Sequence, residues 1–223
     1  APIDAFSGWY DDGLPAMTID DELRVLARAE EPRRICFAVS ADHRRVACGT
    51  DSTYAENYVT TARTVKILGE LGSATSEWDY LDTDHYSAEQ VSWDKLAEAV
   101  DLKVIEEIRS ALADRHYEVF EAASVALVTT ATVSGHDLRR QRVANATDPF
   151  DEIKFRCGSK WVAIPLEHDL LVQYGDATEA KISVSAFDDR QLLFEVDAHW
   201  GIEGGRGYTH GAQLVDTVAL CQR

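Results

Sequence analysis

Two histidines enclose a glycine-rich segment near the carboxyl end of the chain, HWGIEGGRGYTH, residues 199–210. Glycine lets the backbone approach a ligand closely, and successive backbone amides can surround an anion. If the segment folds back on itself, its histidines converge as a pair of metal ligands or as an acid and a base. The predicted ligand-binding or anion-binding residues are His199, Gly204, Gly205, Arg206 and His210. The glycine spacing matches neither a dinucleotide-binding turn nor a Walker A loop, and a connection between the last two strands explains the same composition without chemistry.

A second candidate for metal binding is the acidic stretch SATSEWDYLDTDHY, residues 73–86, which we predict to be a loop. Asp82, Asp84 and His85 place two carboxylates and an imidazole within four positions. Carboxylate oxygens spaced in this way can hold calcium or magnesium. The glycine and terminal glutamate of an EF-hand are not in register, and a solvated acidic linker is the favoured alternative in so acidic a chain.

A third candidate is the adjacent pair His136–Asp137 in VSGHDLRR. The motif recurs as VSADHRR at residues 39–45 and as VSAFDDR at residues 184–190, where the histidine is missing. Each copy lies between two strand-like runs, and neighbouring residues of a strand point to opposite faces. We therefore predict three hairpin turns rather than a catalytic His–Asp pair.

The four cysteines form two plausible pairs. Cys36 and Cys48 flank the turn of VSADHRR symmetrically, so a hairpin brings them opposite each other. Cys157 and Cys221 are then the remaining pair. Neither a CxxC motif nor a Cys/His spacing typical of structural zinc is present. The sequence leaves two disulfides and four buried thiols as equal alternatives.

Helical patterns are concentrated in the first half of the chain. A capping box at Thr18 opens a short helix that ends before Pro32. Apolar residues recur every three or four positions over 53–72 and again over 87–115, where the pattern is broken once. These spacings predict a second and a third helix.

The second half of the chain consists of short β-branched runs separated by polar turns, which is typical of an antiparallel sheet. We predict an α+β fold, with helices from the N-terminal half packed on a mainly antiparallel, hairpin-rich sheet formed largely by the C-terminal half. Residues 18–223 are expected to form one domain, with 115 as an alternative boundary. Residues 1–17 are predicted to be an extended arm, anchored by Phe6, Trp9 and Tyr10.

The composition limits the partners of the protein. The 39 acidic and 22 basic residues give a formal charge of −17, which repels phosphate backbones and anionic lipid. We therefore expect no nucleic-acid partner, and the absence of a long apolar run argues against a transmembrane helix. The expected partner is a protein, most simply another copy of the chain, and a basic protein also suits this charge.

The sequence contains no GxSxG motif, HExxH motif or cysteine in a known nucleophile context. The leading hypothesis is therefore a non-catalytic structural or interaction protein, most simply an acidic, self-assembling subunit. The alternatives are a secreted effector or toxin stabilised by disulfides, and a metal-dependent hydrolase. A cofactor other than a divalent cation is not expected, and an extracellular or particle-associated location is favoured over the cytoplasm.

Overall fold

A computed structural model of the chain describes residues 18–30, 34–55, 58–69, 74–87, 93–143, 150–166, 177–202 and 205–222. The predicted arm and its three anchors, Phe6, Trp9 and Tyr10, lie outside these ranges, so the arm stays a prediction. The described residues are mostly antiparallel β-sheet with few helices, which agrees with an α+β class in outline.

Nine of the described strands form the first sheet. They are β1 (Cys36–Val39), β2 (Val46–Ala55), β3 (Tyr58–Leu68), β4 (Ala74–Ser87), β5 (Glu118–Val119), β6 (Val125–Ala126), β11 (Ala177–Ala186), β12 (Gln191–Ile202) and β13 (Gly205–Asp216). Seven of them follow the order β4-β3-β2-β13-β12-β11-β6, and β1 pairs with both β2 and β5. The predicted first hairpin, β1–β2, does join this sheet.

The second sheet has four strands in the order β10-β9-β8-β7. They are β7 (Thr130–Val133), β8 (His136–Val143), β9 (Phe150–Cys157) and β10 (Lys160–Ala163). All three predicted turns are hairpins: they join β1 to β2, β7 to β8 and β11 to β12. Between β7 and β8, Ser134 and Gly135 have φ of 48° and 79°, the backbone that a two-residue hairpin turn requires.

The helices are α1 (Ile19–Ala27), α2 (Trp93–Glu98), α3 (Leu102–Asp114) and α4 (Thr217–Cys221). Helix α1 begins at the predicted capping box, in which Thr18 and Asp21 bond to each other's backbone amides. Helices α2 and α3 are the predicted third helical region with its single break, and Asp101 caps the start of α3. None of the helices in the described ranges combines the length and apolar character that a bilayer crossing requires.

Two predictions for residues 53–87 are wrong. The expected second helix is the hairpin of β2 and β3, and the expected acidic loop is β4. The apolar spacing of three and four residues was coincidental, because the most deeply buried residues of β3 alternate along a strand: Thr61, Arg63, Val65 and Ile67, each at most 1% exposed. Several of these residues are β-branched and favour strands. The predicted division into a helical half and a sheet half is therefore inexact, since β1–β4 belong to the first half.

The core lies on both sides of the first sheet. On one side, helices α1 and α3 pack on β2, β3 and β4 through Leu26, Ile108 and Val65, among others. On the other side, the second sheet packs on β11 and β12, where Phe155 and Ile153 join a cluster with Phe194 and others. The first sheet is thus covered by helices at one end and by a second sheet at the other.

Of the two alternatives for the cysteines, the structure has the disulfides, in both of the expected pairings. Cys36–Cys48 spans β1 and β2, and Cys157–Cys221 joins β9 of the second sheet to α4, which directly follows β13 of the first. Disulfides persist in oxidising compartments and are rare where glutathione keeps thiols reduced. The two bonds therefore indicate an oxidising environment for the folded chain.

Candidate metal centre

A row of ionisable side chains crosses the first sheet on the face that the helices cover. Directly opposed residues of antiparallel strands point to the same side of a sheet. The strand register aligns five such residues on five adjacent strands: Lys181 on β11, Asp197 on β12, His210 on β13, Asp51 on β2 and Arg63 on β3. We call this set the polar row. Carboxylates alternate in it with basic side chains, so each carboxylate has a lysine, an arginine or a histidine as its neighbour on both sides.

The Arg63 end of the polar row is closed by helix α1. The Arg63 side chain is 1% exposed, and its Nε lies 2.9 Å from Oδ2 of Asp51. A terminal nitrogen of its guanidinium donates to the backbone carbonyl of Ala29, at 2.5 Å, and to that of Glu30, at 3.3 Å. These carbonyls follow the last turn of α1, where an arginine favourably complements the negative end of the helix dipole. Although burial disfavours the charged form, Asp51 holds the pKa of Arg63 above its ordinary value.

Tyr208 links this end to the histidines. Its hydroxyl donates to Oδ2 of Asp51 at 3.4 Å, and its ring centroid lies 4.9 Å from that of His210. Burial is the main reason that the pKa of Tyr208 is raised to about 12. The phenol therefore stays protonated at neutral pH and can act there as a hydrogen-bond donor.

The other end of the polar row gathers three potential metal ligands, Asp197, His199 and His210. The Nε2 atoms of His199 and His210 lie 2.7 Å and 2.8 Å from the same oxygen, Oδ1 of Asp197. One ligand atom from each residue lies within 4.8 Å of the other two. Asp197 and His210 are buried, whereas the His199 side chain is 23% exposed. Solvent therefore reaches the cluster at His199.

Asp197 and Glu195 are buried carboxylates two positions apart on β12, and their environments shift their pKa values in opposite directions. Burial alone would raise the pKa of Asp197, but the hydrogen bonds and charges of His199 and His210 hold it well below its usual range. Burial raises the pKa of Glu195, where an amide hydrogen bond from Cys36 at 3.0 Å only partly compensates. The two histidines are thus what keeps Asp197 in the charged form that a cation needs.

The geometry of the cluster suits a small divalent transition metal. With metal–ligand bonds of about 2.0–2.1 Å, adjacent ligand atoms of a tetrahedral or octahedral ion lie about 3 Å apart, close to the two distances measured here. Two histidines and one carboxylate are a common ligand set for such ions and leave coordination positions open. Imidazole nitrogens must lose their protons to bind metal, so an ion would replace the hydrogens that now bridge Asp197 to its neighbours.

Two of these three residues were candidates from the sequence. His199 and His210 were expected to converge if the segment folds back on itself, and their ring centroids lie 6.0 Å apart. Asp197 was not among the candidates, although the spacing Asp-x-His places residues 197 and 199 on the same face of a strand. The predicted loop is largely strand: β12 ends at Ile202 and β13 begins at Gly205. Gly204 lies outside the described residues, and Arg206 is described only as part of β13.

The other two candidate sites of the sequence lie on other strands, β4 and β8. Asp82 is an exposed residue of β4, and the side chains of Asp84 and His85 lie outside the described ones, so a metal site there stays a prediction. In the second sheet, the His136 ring packs on Phe155 at 5.0 Å, while Asp137 bonds to Arg156 on the outer face. The two side chains therefore point to opposite faces of the strand that follows the predicted hairpin turn.

Comparison with known proteins adds no further constraint: no family model, curated protein or solved structure matches the chain.

Proposed function

We propose that the protein binds a divalent transition-metal ion through Asp197, His199 and His210. The observation that carries the proposal is the convergence of both histidine Nε2 atoms on one oxygen of Asp197 within 2.8 Å. Zinc is the ion that the ligand types favour most in an oxidising compartment, because it has no redox chemistry and accepts histidine and carboxylate in a tetrahedral site. The two disulfides support an extracellular location for this activity.

The open coordination positions leave room for water. Zinc held by three protein ligands lowers the pKa of bound water towards neutrality, which is the basis of metal-dependent hydrolysis. Tyr208, which remains a hydrogen-bond donor at neutral pH, packs against His210. A hydrolase is therefore a second candidate function, and it depends on the same ligand set.

The test is zinc binding by the intact, disulfide-bonded protein after treatment with a chelator. We expect one equivalent of zinc to bind in titration calorimetry. Saturation at about 100 times the dissociation constant should stabilise the fold by about 2.7 kcal/mol, which is about 5–10 °C in melting temperature for a chain of this size.

Matched variants assign the site. His199→Asn should abolish binding and the thermal shift, whereas His43→Asn, in the exposed β1–β2 turn, should leave both unchanged. His43 has a φ of 53°, which asparagine tolerates, so the control removes an imidazole without straining the backbone. Absence of binding in the wild type, or equal binding by His199→Asn, would disprove the proposal.

A further inference from the structure

The outer face of the second sheet is basic in an otherwise acidic protein. By strand register this face carries Arg139, Lys154 and Arg156 against Asp137 and Glu152, so cations outnumber carboxylates here, whereas the whole chain has 22 basic against 39 acidic residues. Since directly paired residues share a face, the register places Arg139 with Lys154 and Arg156 with Trp161 on the side that points away from the core. We call Arg139, Lys154, Arg156 and Trp161 the basic face.

Two features of the basic face indicate that it meets an anionic partner. Arg139 and Lys154 are directly opposed across β8 and β9, and like charges in that position are destabilising. Lys154 pairs with Glu152 at 2.8 Å and Arg156 with Asp137 at 3.1 Å, but within the described part of the chain no carboxylate pairs with the exposed Arg139. An acidic surface placed on this face would remove the repulsion.

Trp161 supplies the apolar contact that a protein interface needs. Its side chain is among the few large hydrophobic ones left exposed, at 41%, and it lies on edge strand β10 beside Arg156. Tryptophan and arginine are the residues most enriched at the energetic centres of protein interfaces. A face with both is suited to a protein surface rather than to a free anion.

A surface of complementary character exists on the same chain, where α2 meets α3. Leu102, the first residue of α3, is 60% exposed, and the exposed acidic residues Glu98, Asp101 and Glu106 lie near it in the sequence. We call these four residues the acidic corner. Within residues 98–109 its carboxylates outnumber the cations, which are the exposed Lys103 and the partly exposed Arg109, the ion-pair partner of Glu106. The acidic corner presents one apolar side chain where carboxylates outnumber cations, as the basic face presents one where cations outnumber carboxylates.

We propose that the basic face of one molecule docks on the acidic corner of another copy of the chain. The two surfaces differ, so the contact is head-to-tail and generates rings or open chains rather than a symmetric dimer. Although each molecule has a formal charge of −17, the Debye length of about 8 Å at physiological ionic strength screens distant repulsion and leaves the local contacts effective. This self-assembly does not depend on metal binding.

Light scattering and sedimentation of the full-length, disulfide-bonded protein across a concentration series at physiological salt test the proposal. We expect species larger than a dimer. Trp161→Ser should weaken association at least about tenfold, as loss of an interface centre does. Val218→Ser, which alters an equally exposed apolar residue on α4 at 41%, is the matched control and should associate as the wild type does.

Charge reversal identifies the partner surface. Arg156→Glu and Glu106→Arg should each weaken association, and an equimolar mixture of the two variants should associate better than either alone. Far-UV circular dichroism and a thiol count establish that each variant is folded with both disulfides. A wild type that stays monomeric, a Trp161→Ser variant that associates normally, or a Glu106→Arg variant with unchanged association would each overturn the proposal.

Discussion

The two sheets hold their charges in contrasting environments. In the polar row of the first sheet, Arg63, Asp51, His210 and Asp197 are at most 4% exposed, and each contacts an oppositely charged or hydrogen-bonding neighbour. On the outer face of the second sheet, Arg156 and Asp137 pair at 3.1 Å, and their side chains are 50% and 42% exposed. The same residue types are therefore fixed in the polar row and free to exchange partners on the outer face of the second sheet.

The difference follows from the dielectric surroundings. Two charges attract several times more strongly near the interior than in water, but each buried charge also loses its hydration. A buried row is consequently tolerated only when every member is satisfied, and removal of one member leaves another charge stranded. An exposed pair loses little when broken, because water replaces the partner. The polar row is thus suited to holding a fixed site, and the basic face to forming reversible contacts.

The largest expected effect is the loss of the buried cation. Arg63→Met should lower the free energy of unfolding by about 3–5 kcal/mol, because Asp51 then stays buried without its guanidinium partner and the carbonyl of Ala29 loses its donor. Urea denaturation measures the loss. Arg139→Met, the same substitution on the basic face, should change stability by less than about 0.5 kcal/mol.

A double variant distinguishes this explanation from a simple loss of packing at position 63. Arg63→Met combined with Asp51→Leu removes both buried charges and should recover much of the stability lost by the single variant. The double variant could be as unstable as Arg63→Met alone, or Arg139→Met could lower the free energy of unfolding as much as Arg63→Met does. Either result would show that burial does not explain the contrast.

An intermediate effect is expected from pH in metal-free protein. Asp197 has a lowered pKa in the folded state, so its contribution to stability is complete above the unfolded value of about 3.9 and is lost as the pH falls below it. In the Asp197→Asn variant, the free energy of unfolding should fall less on acidification than in the wild type, by on the order of 2 kcal/mol. Stability measured by urea denaturation between pH 6 and pH 3 checks the slope.

Glu195 is the internal control, because its pKa is raised. Its contribution is complete below the unfolded pKa of about 4.3 and is lost as the pH rises through the folded value, which is the opposite sign. Glu195→Gln should therefore stabilise the protein near neutrality relative to acid. Equal pH slopes for the two variants would contradict the opposed environments of these neighbours on β12.

The smallest effect is expected from the exposed pair. A double-mutant cycle of Arg156→Gln and Asp137→Asn should give a coupling energy below about 1 kcal/mol that decreases further at high salt. Thermal or urea unfolding at two salt concentrations measures it. A coupling energy of several kcal/mol, insensitive to salt, would show that the second sheet holds its charges as tightly as the first.

Local signals in the sequence predicted the turns, one helix start and one disulfide correctly. The capping box at Thr18, the three hairpin turns and the symmetric placement of Cys36 and Cys48 depend on residues close together in the chain. The second helix was predicted wrongly because its apolar spacing fitted a helix by chance, while pairing of β3 with both β2 and β4 decided the structure. Such pairing overrides a local pattern, since each strand gains hydrogen bonds and packing from both neighbours.

The sequence by itself determined the charge of the surface and the hairpin turns, because these depend on composition or on short-range geometry, and it offered the convergence of His199 and His210 as one of two alternatives. Only the tertiary structure decided that Asp197 stands opposite His210, that Asp51 and Arg63 continue the row, and that Arg139 faces Lys154. The reason is register: a shift of one residue between paired strands moves each side chain to the other face, and register is fixed by core packing along the whole strand rather than by any local motif.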